Sequence, residues 1–379
     1  WLLSSDDESS LALVAASLEK QPATFAPPGV PVPADAETAA SLRRAELQLS
    51  TLPQEFRGLP VSHRRSNGPP SADPVPPVEN PHVKLELVLD LDHTCVHAAE
   101  HRSDAREADG VHTFNLLQAG HTMRYKMRVR EGIQAFLREV HPIANIHVYT
   151  MGSMSYTREV LDTIDPQHSF IRKTLCRRDG DESLFEKELV HLFPLDHFVS
   201  PEEAQRHRQL IDRAIVIDDR EDAWDVASRP HVLRCVQFRC WSEDGSSLPT
   251  PSAADATLLD LLQVIRGVHA DLSKGSAVST AVALNERRRS VLSGVVVVFS
   301  GGLLQDSHHP ERNAPWRMAE ALGATCAVRM DVERVTHVVS HHGESGSVRK
   351  ALTTKGRQIH AVTLQWLLDS ATRWRRQSE

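Results

Sequence analysis

Three apolar runs of strand length, each ending in polar side chains, constrain this chain more than any other feature. Leu85, Leu87, Val88 and Leu89 lead into Asp90-Leu91-Asp92-His93-Thr94; Ala144 to Tyr149 ends in Thr150; Ala214 to Ile217 ends in Asp218-Asp219. Near-continuous apolar runs suit strands covered on both faces, as in a parallel sheet. Segments with helical spacing, such as Glu131 to Val140 and Tyr156 to Ile164, alternate with them and indicate βαβ units. In such sheets ligands bind beyond the carboxyl ends of the strands. The expectation is an α/β domain whose crevice is lined by Asp90, Asp92, Thr150, Asp218 and Asp219.

Side chains two apart share one side of a strand, so Asp90, Asp92 and Thr94 are expected to point the same way. Carboxylates this close repel unless a cation or proton lies between them. A divalent site follows, and oxygen ligands favour Mg²⁺. A calcium loop is excluded, because the positions where it needs Gly and Glu are Cys95 and His101. His93, His97 and His101 recur every fourth residue, a spacing that suits metal ligands on a helix. Because they follow a strand, they are expected in a solvated loop instead. His101 to Gly120 is long and polar, and Met123 to Arg130 alternates like a strand. Together they form either a flap over the crevice or a surface loop.

Composition divides the rest. The chain has 379 residues, enough for two or three domains, and a mild net charge of −7. It opens on Trp1 rather than Met, as a fragment or a gene model would. Its 5 cysteines include no Cys-x-x-Cys, which argues against a disulfide scaffold or a zinc ribbon. The longest apolar run, Gly294 to Phe299, has strand length and is too short for a membrane span. Of the 22 prolines, 13 fall in residues 1–81. Residues 1–80 are therefore expected to be a largely disordered tail, with one helix near Ala39 to Leu49. Residues 82–245 carry 21 basic and 28 acidic side chains, whereas 286–379 carry 14 and 9. This gives an acidic domain over 81–245, a linker over 246–288 with one helix (Ala256 to Val268), and a basic domain over 289–375.

The motifs DLDHT, VYTMGSMSY, EKELVHLFP and IVIDDREDAWD, in that order, resemble the haloacid-dehalogenase superfamily. More narrowly, they resemble the FCP-homology phosphatases that act on the carboxy-terminal domain of RNA polymerase II. The resemblance implies a Rossmann-like parallel sheet and a nuclear protein serine/threonine phosphatase. Asp90 would be the nucleophile that forms an aspartyl-phosphate. Asp92 would be the acid and then the base. Thr150 and Lys187 would hold the phosphoryl oxygens. Mg²⁺ would sit on Asp90, the main-chain carbonyl of Asp92 and Asp219, with Asp218 orienting the site or exchanging roles with Asp219. Arg178 would either lie near the phosphate or serve the surface. The implied substrate is the phosphorylated repeats of the polymerase; neither direct nucleic-acid binding nor a membrane is expected.

In the basic domain, Ser293 to Gly301 reads as a buried strand, Trp316 to Leu322 as a helix stopped by Gly323, and Val335 to Ser340 as a second strand. With a late helix, Val362 to Trp374, the pattern resembles a small α/β BRCT domain in which Trp366 is core. Phosphopeptide-binding members use groups that Ser300, Gly301 and Lys350 (or Arg349) would supply here. A protein partner bound without phosphate is the other reading. Arg287-Arg288-Arg289 is either part of a nuclear-import signal or a solvated linker. The competing function is a BRCT-based phosphoprotein scaffold whose phosphatase domain is inactive or secondary.

Overall fold

The computed structural model describes residues 83–379 except 102–109, 119, 181–185, 195–199, 243–254, 301, 305, 307, 341–345, 354, 355 and 357. The Pro-rich tail, its expected helix near Ala39 to Leu49, and Gly301 lie outside the described residues. Among the described residues no helix is long and apolar enough to cross a membrane.

Strand β1 (Leu85–Leu89) is buried along its whole length and lies at the centre of a five-stranded parallel sheet. Its neighbours are β5 (Ala144–Ser153) on one side and β7 (Ala214–Asp218) on the other, with β6 (Ile171–Arg177) and β8 (Val232–Arg234) at the edges. The continuous apolar runs are explained by two cores. Leu85, Leu87, Leu89, Ile146, Val148, Ile215 and Ile217 face one. Val88, Tyr149, Ala214 and Val216 face the other, beside helix α3 (Leu189–Leu192) and Trp224.

Between β1 and helix α1 (Ile133–Val140) the chain inserts an antiparallel sheet of β2 (Val96–Glu100), β3 (Val111–Gln118) and β4 (His121–Val129), in the order β2-β4-β3. Helix α2 (Met154–Ile164) follows β5, and its N-cap Ser153 accepts from the Tyr156 amide. Helix α4 (Pro201–Asp212) opens with a full capping box between Ser200 and Glu203.

The expected linker is corrected. Two helices occupy it, α5 (Thr257–Ser273) and α6 (Thr280–Ser290). Leu258, Leu261, Leu262, Ile265, Val268, Ala283 and Leu284 join the first core of the phosphatase sheet. Both helices hide an apolar face against that core, so they belong to the first domain. Arg287-Arg288-Arg289 lies in the last turn of α6: Arg287 pairs with Asp271 at 2.6 Å and Arg288 stacks 5.0 Å from Trp374. The expected solvated run is therefore a packed helix end.

The basic domain is a four-stranded parallel sheet, β10-β9-β11-β12, formed by β9 (Val296–Ser300), β10 (Thr325–Ala327), β11 (His337–Ser340) and β12 (His360–Thr363). Helices α7 (Ala314–Ala321), α8 (Gly346–Thr353) and α9 (Leu364–Thr372) complete it. Trp366 is core, as the sequence indicates. Gly323 follows α7 at φ 91°, and a Cβ there would lie 1.7 Å from the Arg289 carbonyl oxygen. Only glycine lets the second domain close on the end of α6 this way.

Candidate active site

Sheet register brings the acidic motifs together. Leu89 pairs with Val148 on one side and Ile217 on the other, so one residue further on Asp90 stands beside Asp218. Both carboxylates fall on the alternation that carries Val88 and Val216 toward the second core. Lys187 meets them there. Its Nζ donates to Asp90 Oδ1 at 2.7 Å and to Asp218 Oδ2 at 2.8 Å. Asp90, Lys187, Asp218 and Asp219 are all buried.

Asp218 is fully engaged: the Arg220 amide donates to Oδ1 at 2.8 Å, and Trp224 Nε1 donates to Oδ2 at 2.8 Å. Asp219 accepts at Oδ2 from Gln237 Nε2 at 2.7 Å, while its amide donates to Thr94 Oγ1 at 3.1 Å. Thr150, also buried, accepts at Oγ1 from the Gly152 amide at 3.0 Å. A Cβ on Gly152 would lie 2.6 Å from the Tyr156 ring, so glycine makes room for Tyr156. The Tyr156 hydroxyl then donates to Asp92 Oδ1.

The strand alternation expected for Asp90, Asp92 and Thr94 ends at Asp90. Residues 91–95 form a turn in which the Thr94 and Cys95 amides donate to the Leu91 carbonyl, and His93 takes φ 60°. Asp92 therefore departs from the carboxylate cluster toward Tyr156. The histidine expectation is corrected as well. His97 lies buried in β2, where its Nδ1 accepts from the Cys240 amide at 2.8 Å; His101 is buried too. Strand pairing with β4 draws these residues inward, out of any solvated loop. Arg178 is exposed just after β6, whereas Arg177 binds the Met151 carbonyl.

Burial sets the electrostatics. It pushes Asp90 well above the usual carboxylate range; Lys187 opposes the rise, and Asp218 and Asp92 add to it. Asp219 is raised by burial and then by Asp218. Asp92 is raised by desolvation, with the Tyr156 hydrogen bond pulling the other way. For Lys187 burial works against the ammonium, but Asp90 and Asp218 outweigh it and the net shift is upward. Lys187 is therefore a fixed cation.

Carboxylate oxygens of Asp90, Asp218 and Asp219 all lie within 4.8 Å of one another. Three hard oxygen donors with one ammonium among them fit a divalent cation such as Mg²⁺. Sequence reasoning did not single out Tyr156, Trp224 or Gln237. The first two stand inside the quoted motifs, but nothing in residue type marks which carboxylate each would reach.

In the second domain Ser300 ends β9 in register with Ser340 of β11, and Lys350 lies exposed on α8.

Comparison with known proteins agrees with this architecture. Residues 85–274, half of the chain, match the NLI interacting factor-like phosphatase family, and residues 303–366 match the twin BRCT domain. A similar relative is the RNA polymerase II C-terminal domain phosphatase-like 4 of Arabidopsis thaliana, 28% identical over 78% of this chain and 69% of its own length. The RNA polymerase II C-terminal domain phosphatase of Schizosaccharomyces pombe is 32% identical over 41% of this chain, and the match spans 21% of that protein. The fold is shared with the solved structure of Fcp1, described as an essential RNA polymerase II CTD phosphatase, at a TM-score of 0.56 and 24% identity, covering 78% of this chain and 94% of that one. A fission yeast Fcp1 variant bound to beryllium fluoride gives a TM-score of 0.55 at the same identity and coverage. The chain thus belongs to the NLI interacting factor-like phosphatases, with a BRCT domain behind the phosphatase domain.

Proposed function

We propose that the chain is a Mg²⁺-dependent protein phosphatase acting in the nucleus on phosphoserine or phosphothreonine in the C-terminal repeats of RNA polymerase II. The observation that carries this reading is the buried bridge of Lys187 between Asp90 and Asp218 beside Asp219. A carboxylate held by a fixed ammonium at the end of a central strand is arranged for attack on an anionic phosphoryl group.

Asp90 attacks phosphorus and the serine oxygen leaves, giving an acyl phosphate on Asp90. Asp92, outside the Lys187 pair and raised by desolvation, donates the proton to that oxygen. It then takes a proton from the water that hydrolyses the acyl phosphate. The Tyr156 hydroxyl holds Asp92 for both steps. Thr150 and Lys187 bind the equatorial phosphoryl oxygens, with Arg178 reaching in from the rim.

Asp90, Asp219 and the Asp92 carbonyl would hold Mg²⁺, and Asp218 would anchor Lys187. When bound, the cation supplies positive charge to the carboxylates and the phosphoryl group. The BRCT domain recruits a protein partner, and Ser300, Gly301 and Lys350 are the groups that would receive a phosphate.

The test is turnover of polymerase-tail peptides phosphorylated at one defined serine. Asp90→Asn lowers it by about a thousandfold or more with the fold intact, and excess EDTA stops the unaltered chain. Full activity in either case overturns the mechanism.

A further inference from the structure

Lys187 reaches the carboxylates on a long flexible stem, from a short segment that is tied to the rest of the molecule by an isolated β-bridge to Trp224. Fixing such a side chain costs rotamer entropy, so something must seat it. The Lys187 amide donates to the Ala223 carbonyl at 2.8 Å, and the Asp225 amide donates to the Lys187 carbonyl at 2.9 Å. The Trp224 ring lies 5.4 Å from the Lys187 ammonium. Trp224 Nε1 donates to Asp218 Oδ2, the same oxygen that takes the Lys187 proton. One wholly buried residue therefore meets Lys187 through the main chain, through its ring and through a shared acceptor.

A buried indole N–H needs an acceptor, and a main-chain carbonyl would serve as well for stability alone. Here the acceptor is a carboxylate of the site. We propose that Trp224 is a positioning residue, whose indole N–H fixes Asp218 so that Lys187 stays on Asp90. The inference rests on the phosphatase reading and adds a residue to it. Without that donor Asp218 is free to turn, and the ammonium loses one of its two fixed ends.

The experiment uses the full chain. Trp224→Phe keeps a ring over Lys187 and removes only the N–H; Trp224→Tyr serves as a second variant, and thermal melts of both establish folding. Expected is a fall in kcat on a phosphoserine peptide of about tenfold or more, with KM unchanged. In an Asp218→Asn background the same substitution adds nothing further, because the two act through one contact. A readout independent of turnover is labelling of Lys187 by an amine-reactive ester, followed by peptide mass spectrometry. Lys187 is protected in the unaltered chain and labels faster in both variants.

An unchanged kcat, a loss additive with Asp218→Asn, or unchanged labelling overturns the role of Trp224. An unaltered chain without turnover overturns the phosphatase reading instead, while the labelling still decides the role of Trp224.

Discussion

Two parallel sheets in this chain have similar cores and very different carboxyl ends. In the five-stranded sheet, β1 and β7 run from fully buried apolar residues straight into Asp90 and Asp218, which share Lys187. In the four-stranded sheet, β9 and β11 end in the registered pair Ser300 and Ser340. Among the described residues the one acidic group close enough to hold a metal is Asp90, Asp218 and Asp219. The difference teaches that a parallel sheet offers a place for chemistry without supplying it. Buried carboxylates are costly, and their mutual attraction with a lysine offsets that cost only when the geometry is good. That arrangement is found at one sheet and not at the other, and it is where we place catalysis.

The largest expected effect on stability comes from breaking the charged end. Lys187→Met leaves Asp90 and Asp218 buried without their cation and should destabilise the chain by about 3–5 kcal/mol. Ser340→Ala at the equivalent end of β11 removes at most an ordinary hydrogen bond and should cost about 1 kcal/mol. Denaturant titration of both variants measures the contrast, and equal costs would erase it.

Next in size is the division of labour around Asp90. Asp92→Asn should slow a phosphoserine peptide by about a hundredfold or more, since serine leaves poorly without a proton. An aryl phosphate, whose leaving group needs little help, should slow far less. Ser300→Ala with Lys350→Ala should leave both rates unchanged. Equal losses on the two substrates would move Asp92 out of the acid role.

A smaller effect is expected where the two sheets are joined. Gly323→Ala forces a Cβ onto the Arg289 carbonyl at a positive φ and should destabilise the second domain by about 2 kcal/mol or more. Thermal melting, with protease sensitivity near Val291 to Gly294, follows it. A variant as stable as the unaltered chain would show that the domains are only loosely joined.

The smallest effect distinguishes the sheets by pH. Burial, with His93, Arg239 and Lys126 nearby, lowers His97 from 6.5 to about 4. Its neutral ring contributes stability that is fully present above about pH 6.5. That contribution is lost as pH falls through 4, because the unfolded chain takes up the proton first. His97→Gln should flatten this part of the pH–stability curve, as measured by melts from pH 7 to pH 4; an unchanged curve would show that His97 does not contribute.

Much of this was legible in the residues because it is local. Strand runs ending in Asp90, Thr150 and Asp218 declare buried strands and polar ends by residue type alone, and Gly323 marks the end of a helix. The same logic failed where the answer depended on what packs nearby. The alternation rule put Asp92 beside Asp90, but the chain turns after Asp90 and delivers Asp92 to Tyr156. The apolar face of α5 was visible, yet whether it would rest on a core or cross a linker was not.

By itself, then, the sequence determined the order of strands and helices, the acidic strand ends and the two-domain division, since periodicity and side-chain chemistry act over a few residues. Tertiary structure alone decided that Lys187, far along the chain from Asp90 and Asp218, would sit between them over Trp224. Such a charge is stable only when desolvation, partners and packing are satisfied together, and no local stretch of sequence contains all three.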